Sequence, residues 1–531
     1  MAEDLPTPPA APAATPSLAD ALDTVLDAWG ALLAPVAAAG AARLPADKRF
    51  ADPAWDHPVF ALLRQGYQAM GDAVAAAVEA APGDLAQKER MRFAARTLVE
   101  AMSPANLPWT NPVALRRAAE TGGQSLADGL THLLADLERG QLTHTRPGAF
   151  ELGVTLATTP GKVVYETPLF QLIQYAPATP DVLALPLVIF PPWINRFYIL
   201  DLTPAKSFVR WAVEQGLTVF MVSWRSADAT MGELVWDDYV AAQVEAVDVV
   251  RDLLDVPAVH AIGYCVAGTT LAATLSVLAA QGRGDVVRTA TFFTAQVDFA
   301  DAGELLNFID DAPLAMVDAL SAGGTLDGRW MAAAFNLLRG RDLIWSTVEK
   351  QYLLGEDHPT FDLLHWNGDT TNLPAKWHRA YLSDLYKDNK LVEPGALSAL
   401  GVPIDLTRVE TPTYVQAGRE DHIAPARSVW KLTHHFRGPL RFVLAGSGHI
   451  AGVVNPPEAK KYGYWTGDAK ADSFDAFVAG ASETKGSWWP DWLEWVRAYD
   501  GETVDANGAR LPGEGALTAI EDAPGRYVSM R

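Results

Sequence analysis

Residues 258–280 read A-V-H-A-I-G-Y-C-V-A-G-T-T-L-A-A-T-L-S-V-L-A-A. Residues 258–262 are a mostly apolar run of the kind that fills a buried strand. Gly263 opens a sharp turn, Cys265 occupies its apex, and residues 266–280 read as a helix. Strand, tight turn, nucleophile and helix make a nucleophile elbow, with cysteine in the place that serine often holds. The turn crowds the backbone, so the small residues Gly263, Ala267 and Gly268 let strand and helix approach closely. The helix N-terminus supplies unpaired N–H groups and the positive end of a dipole, which favour a thiolate and later an oxyanion. Cys265 is also the only cysteine among 531 residues. A lone cysteine is more often a small buried hydrophobe than a nucleophile. The motif also departs from G-x-S-x-G at Ala267, with the glycine one place later. The partners of Cys265 therefore carry the decision.

An elbow nucleophile of the α/β-hydrolase type is followed along the chain by an acid and then a histidine. Residues 410–425, E-T-P-T-Y-V-Q-A-G-R-E-D-H-I-A-P, read as a strand over 411–417 with Asp421 in the loop beyond it. Residues 439–452, P-L-R-F-V-L-A-G-S-G-H-I-A-G, read as a strand over 440–444 with His449 in its following loop. Both residues would then lie at the carboxyl ends of parallel strands, where open α/β sheets keep their active sites. Among eleven histidines, His434 and His435 fall in a helical stretch and His422 adjoins Asp421. His449, in a small-residue loop directly after a strand, is the expected base.

Taken together, these residues resemble polyhydroxyalkanoate synthases. G-Y-C-V-A-G-T-T is similar to the lipase-like box of that family, and R-E-D-H-I-A-P and G-S-G-H-I-A-G-V-V-N-P-P to its aspartate and histidine segments. P-P-W-I-N-R-F-Y-I-L-D-L from Pro191, F-D-L-L-H-W-N-G-D-T-T-N-L-P from Phe361, G-S-W-W-P-D-W from Gly486 and A-P-G-R-Y-V from Ala523 also resemble family segments. The likeness covers most of the chain, and the length is similar to the single-subunit class I type. Ala267 stands where many members carry glycine.

The resemblance implies a Cys265–Asp421–His449 triad acting on (R)-3-hydroxyacyl-coenzyme A, short-chain as in 3-hydroxybutyryl-coenzyme A. Coenzyme A would leave as a product, polyester would grow, and no resident cofactor or metal is implied. The Val266 N–H is the expected first oxyanion donor, and the second is expected from the P-P-W-I-N loop near Ile194. His422, Trp366 and Asn195 are expected beside the site or in a cap. A homodimer, granule-associated protein partners and a cytoplasmic location at the granule surface also follow from the resemblance. Two other classes share features with this reading. A cysteine thioesterase or hydrolase would have the same triad and release free acid, and a non-catalytic granule scaffold would not need it.

Composition bounds the rest. A net charge of −22 argues against a nucleic-acid surface. An anionic substrate would then need a local basic patch, for which Arg196 and Arg225 follow strands and are candidates. One cysteine excludes internal disulfides and a cysteine-rich zinc site, and a free thiol suits a reducing cytoplasm. There is no Walker loop, no H-E-x-x-H and no dinucleotide fingerprint. Residues 1–16 carry acids and prolines and read as a disordered tail, not a signal peptide. No membrane span is expected, because apolar stretches are interrupted by proline and charge.

The predicted fold is α/β: an α/β-hydrolase fold with a mostly parallel sheet, a helical cap insertion and a mainly helical N-terminal domain. Residues 17–180 form the helical domain, since L-A-D-A-L-D-T-V-L-D-A-W and its successors repeat apolar residues every three or four places. The stretch 150–175 suggests a few strands leading into the sheet. Residues 181–531 form the catalytic domain, where P-L-V-I-F and T-V-F-M-V-S-W are strands of buried parallel type. Residues of about 300–400 interrupt the alternation and read as the cap. Trp488, Trp489, Trp492 and Trp495 read as the core face of one helix in preference to a polymer-binding patch.

Overall fold

The computed structural model describes residues 17–40 and 47–531, so the expected tail over residues 1–16 lies outside it. Two compact units divide the chain. One runs to Leu142 and takes back Arg339–His358, and the other comprises Thr143–Leu338 and Pro359–Arg531.

The first unit is built on helices α1 (Leu18–Gly40), α2 (Pro58–Ala80), α3 (Leu85–Ala101), α4 (Pro112–Glu120) and α5 (Gln124–Arg139). Local chemistry sets their starts. Asp84 and Gln87 form a reciprocal capping box at α3, and Asn111 accepts the Val113 and Ala114 N–H groups ahead of Pro112 in α4. Phe50, Trp55, Phe60 and Tyr67 form a small aromatic core. Leu18–Ala38 of α1 is long and apolar enough to cross a bilayer by length and composition alone, and Asp20, Asp23, Asp27 and Pro35 lie within it.

The second unit holds an eleven-stranded sheet. Its strands are β1 (Gly161–Glu166), β2 (Phe170–Tyr175), β3 (Leu187–Phe190), β4 (Val219–Trp224), β5 (Val259–Tyr264), β6 (Val287–Phe293), β7 (Thr413–Gly418), β8 (Leu440–Ala445), β9 (Gly463–Thr466), β10 (Ser482–Lys485) and β11 (Glu521–Asp522). They lie in the order β10-β9-β8-β7-β6-β5-β3-β4-β2-β1-β11. Strands β4, β3, β5, β6, β7 and β8 pair in parallel, and the flanking pairings are antiparallel. Period-two alternation sorts their side chains between two cores: Leu187 and Ile189 of β3 enter one, Val188 and Phe190 the other. Helices α6 (Phe208–Glu214), α7 (Trp236–Leu254) and α8 (Val266–Ala280) make the crossovers of the first half.

The structure moves two boundaries. Strands β1 and β2 hydrogen-bond into the large sheet, so the helical unit ends well before residue 180. The region expected as one cap is also divided. Helices α9 (Asp311–Leu320), α10 (Gly328–Leu338), α11 (Asp362–Gly368) and α12 (Ala375–Ala380) stay with the sheet unit, whereas Arg339–His358 belongs to the helical one.

The tryptophan-rich segment completes the core, as its spacing suggests. Trp488, Trp489 and Trp492 are fully buried on and just ahead of the helix Trp489–Arg497. Their indole N–H groups donate to the carbonyls of Gly452 and Val453 and to Thr291 Oγ1 at 2.8–2.9 Å. Two of these bonds hold the loop that carries His449.

At the elbow the contact is backbone to backbone. A Cβ at Gly263 would lie 2.5 Å from the Gly268 Cα, and one at Gly268 would lie 2.5 Å from the Ala295 Cβ. The close approach therefore falls on Gly263 and Gly268, and the methyl of Ala267 sits elsewhere in the core. We expect Gly268→Ala to lower unfolding free energy by about 1–3 kcal/mol through overpacking. Urea denaturation followed by tryptophan fluorescence checks this, and an unchanged midpoint would contradict the contact.

Candidate active site

The elbow is formed as the sequence suggests. Cys265 follows β5 and precedes α8, with φ 53° and ψ −127°. A side chain rarely adopts that conformation, so the surroundings must hold it. The Cys265 N–H donates to the Phe293 carbonyl at 2.9 Å, and the Cys265 carbonyl accepts from Gly268 and Thr269 at 2.9 and 3.1 Å. The thiol is half-buried.

Asp421 and His449 meet beside it. His449 Nδ1 lies 2.7 Å from Asp421 Oδ2, and the other carboxylate oxygen accepts the N–H groups of Ile423 and Ala424 at 2.8 and 2.9 Å. Backbone bonds tie the two loops together, from Arg419 to Ala445 and from Glu420 to Ser447. The Tyr264 hydroxyl donates to the His449 carbonyl at 3.0 Å, so the residue before the nucleophile also steadies the histidine loop. With Nδ1 donating to a carboxylate, Nε2 is left for Cys265. Burial works against the imidazolium, but the Asp421 carboxylate, negative charge on Cys265 and hydrogen bonds to both push His449 up to about 10.

The expected oxyanion donors start from neighbouring strands. Val266 opens α8 after β5, and Ile194 lies in the loop after β3, with Phe190 of β3 paired to Gly263 of β5. Asn195 is buried in that loop and bridges to Thr370. Trp366, on α11, donates its indole N–H to the Arg196 carbonyl at 2.7 Å. His422 is half-buried in the turn after Asp421.

The two arginines are otherwise committed. Arg196 is buried, and its guanidinium donates to the carbonyls of Tyr527 and Met530. Arg225 pairs with Asp228 and lies over the Tyr527 ring. Arg196 therefore offers no open charge to an anionic substrate. Among the described residues, no group of three or more His, Cys, Asp or Glu side chains is placed to hold a metal.

Comparisons with known proteins give the family of the chain. The model for the poly-beta-hydroxybutyrate polymerase N-terminus matches residues 46–212, and that for the alpha/beta hydrolase fold matches residues 193–456. The chain is 43% identical over 493 residues to the poly(3-hydroxyalkanoate) polymerase subunit PhaC of Cupriavidus necator, covering 91% of this chain and 83% of that one. The chain belongs to the poly(3-hydroxyalkanoate) polymerase family. The Methylorubrum extorquens polymerase is 44% identical, covering 92% of this chain and 81% of the relative. Poly(3-hydroxyalkanoate) polymerase 1 of Ectopseudomonas oleovorans is 37% identical, covering 91% and 87%.

In this member of the polymerase family, sequence reasoning missed the aromatic surroundings of the thiol. Tyr381 and Tyr386 lie on a π-helical segment, Tyr381–Lys387, and both feel the charge of Cys265. Gln296 donates to the Tyr386 hydroxyl at 3.2 Å. Trp377 stacks on Tyr381, and Trp193 stacks on Tyr239 and meets Trp377 edge to face. A π-turn has no composition signal of its own, and such turns occur often at functional sites. The run W-H-R-A-Y-L-S-D-L-Y reads equally well as an ordinary helix.

We expect Asp421→Asn to lower the His449 pKa by about 1–3 units, because the carboxylate is the leading stabiliser of the imidazolium. NMR titration of the His449 ring checks it, and a native-like pKa in the variant would show that Asp421 does not hold the charge.

Proposed function

We propose that this chain polymerises (R)-3-hydroxyacyl groups, short-chain as in 3-hydroxybutyryl, from coenzyme A thioesters into polyester through a covalent Cys265 thioester. The observation that carries this reading is Cys265 on a strained elbow beside the paired His449 and Asp421, in a chain of the polymerase family.

In this reading His449 takes the thiol proton and Asp421 fixes the imidazole and stabilises its charged form. The Cys265 thiolate attacks the thioester carbonyl, and the Val266 and Ile194 N–H groups receive the oxyanion. The carbon–sulfur bond to coenzyme A breaks, and the leaving thiolate takes the proton from His449. Cys265 then carries a thioester, so little free energy is lost and the acyl group stays reactive. His449 next removes the proton from a 3-hydroxyl, whose oxygen attacks that thioester. An ester bond forms and the Cys265 thiolate is released. No resident cofactor enters this sequence. Water must lose to the hydroxyl, and the buried Tyr381 and Tyr386, near enough to Cys265 to interact with its charge, support its exclusion.

The class I character, a homodimer, granule-associated partners and a cytoplasmic location at the granule surface belong to the same reading.

Purified protein supplied with (R)-3-hydroxybutyryl-coenzyme A should release thiol and form insoluble polyester. Cys265→Ala should lower turnover by roughly 10⁴-fold or more while keeping its fold, and Asp421→Asn should lose roughly 10- to 100-fold less. Free hydroxy acid without polymer would make the chain a hydrolase. Undiminished turnover in Cys265→Ala would remove the covalent step.

A further inference from the structure

The loop after β3 presents three of its carbonyls to three donor side chains. Trp224 Nε1 donates to the Pro191 carbonyl at 2.8 Å, Thr371 Oγ1 to the Trp193 carbonyl at 2.5 Å, and Trp366 Nε1 to the Arg196 carbonyl at 2.7 Å. Two of these donors come from one strap, residues 366–372, which also bridges Asn195 through Thr370.

The middle bond differs from the others in what it controls. The Trp193 carbonyl and the Ile194 N–H belong to one planar trans peptide unit and point in opposite directions. Fixing the oxygen therefore fixes the line along which that N–H donates, and polarises it as well. We propose that Thr371 is a positioning residue for acyl transfer: its hydroxyl sets the peptide plane that aims the Ile194 N–H at the oxyanion. The proposal rests on the acyl-transfer reading of Cys265, not on which acyl group is carried.

Thr371 is itself held firmly. It is buried, and a Cβ on Gly328 would lie 2.4 Å from its carbonyl oxygen. The next residue, Asn372, receives the Gly328 N–H on its side chain at 3.1 Å and donates its own N–H to Ser226 Oγ at 3.0 Å. The strap thus spans from the loop after β3 to the loop after β4. Its hydroxyl has a fixed origin from which to hold the peptide.

The test compares Thr371→Val, nearly equal in shape but without the donor, with Thr371→Ser, which keeps it. Cys265 acylation is read from the p-nitrophenol burst with p-nitrophenyl acetate, and thiol reactivity from alkylation by iodoacetamide. Alkylation forms no oxyanion, so it reports the Cys265–His449 pair alone. Thr371→Val should acylate about 10- to 100-fold more slowly, with alkylation unchanged and KM for (R)-3-hydroxybutyryl-coenzyme A within about twofold. Thr371→Ser should recover most of the native rate. If the valine variant does not fold, Thr371→Ala carries the same expectation. Native acylation in a folded donor-less variant would overturn the proposal, as would a parallel fall in alkylation. An unacylated native chain would overturn both the acyl-transfer reading and this one. Acylation without polymer would remove the polymerase reading and leave this one standing.

Discussion

Cys265 is held at a positive φ, and much of the sheet unit is arranged so that it can stay there. The strain is local, but the restraints are not. Phe293 at the end of β6 accepts the Cys265 N–H, and Gly263 and Gly268 bring the end of β5 against the first turn of α8. Ala295 closes the remaining space on the far side of Gly268. A side chain at either glycine would push the helix from the strand, and Cys265 would move with it. Close packing, not hydrogen bonding alone, keeps the half-buried thiol at the head of a crowded turn.

Around that point the charges are arranged in series. Backbone N–H groups of Ile423 and Ala424 steady the Asp421 carboxylate, which holds His449, whose other nitrogen serves Cys265. Burial strengthens each of these interactions while penalising any that is incomplete. The aromatic helix near the C-terminal side of the sheet contributes from a distance. Trp488 and Trp489 fix carbonyls three and four residues after His449, so a hydrophobic packing element also holds the loop that carries His449. The strap at residues 366–372 does the same for the loop after β3.

Legibility differed sharply between these parts. The elbow could be read because glycine, apolar strand and helix periodicity are local signals, and α8 spans Val266–Ala280 as its pattern suggested. The neighbours Asp421 and His449 were signalled because each follows a strand, His449 in a small-residue loop. Arg196 could not be read in this way. Its charge suggested a substrate anion, but the partners that bury it, the Tyr527 and Met530 carbonyls, lie more than three hundred residues away. The stretch 150–175 signalled strands leading into the sheet, and the structure groups them with the sheet unit and not with the helices before them. Tyr381 and Tyr386 were missed because the run that carries them reads as an ordinary α-helix, on which residues five apart do not share a face.

The sequence by itself determined which residue is the nucleophile candidate, in what order its partners follow, and that a parallel sheet carries them. These are matters of nearest neighbours and short periods, written into a few residues at a time. Only the tertiary structure decided which carbonyl each buried donor takes, where the first unit ends, and that Arg196 is buried. Those outcomes depend on segments far apart in the chain meeting in a close-packed interior, where the Thr371 hydroxyl meets the Trp193 carbonyl 178 residues away.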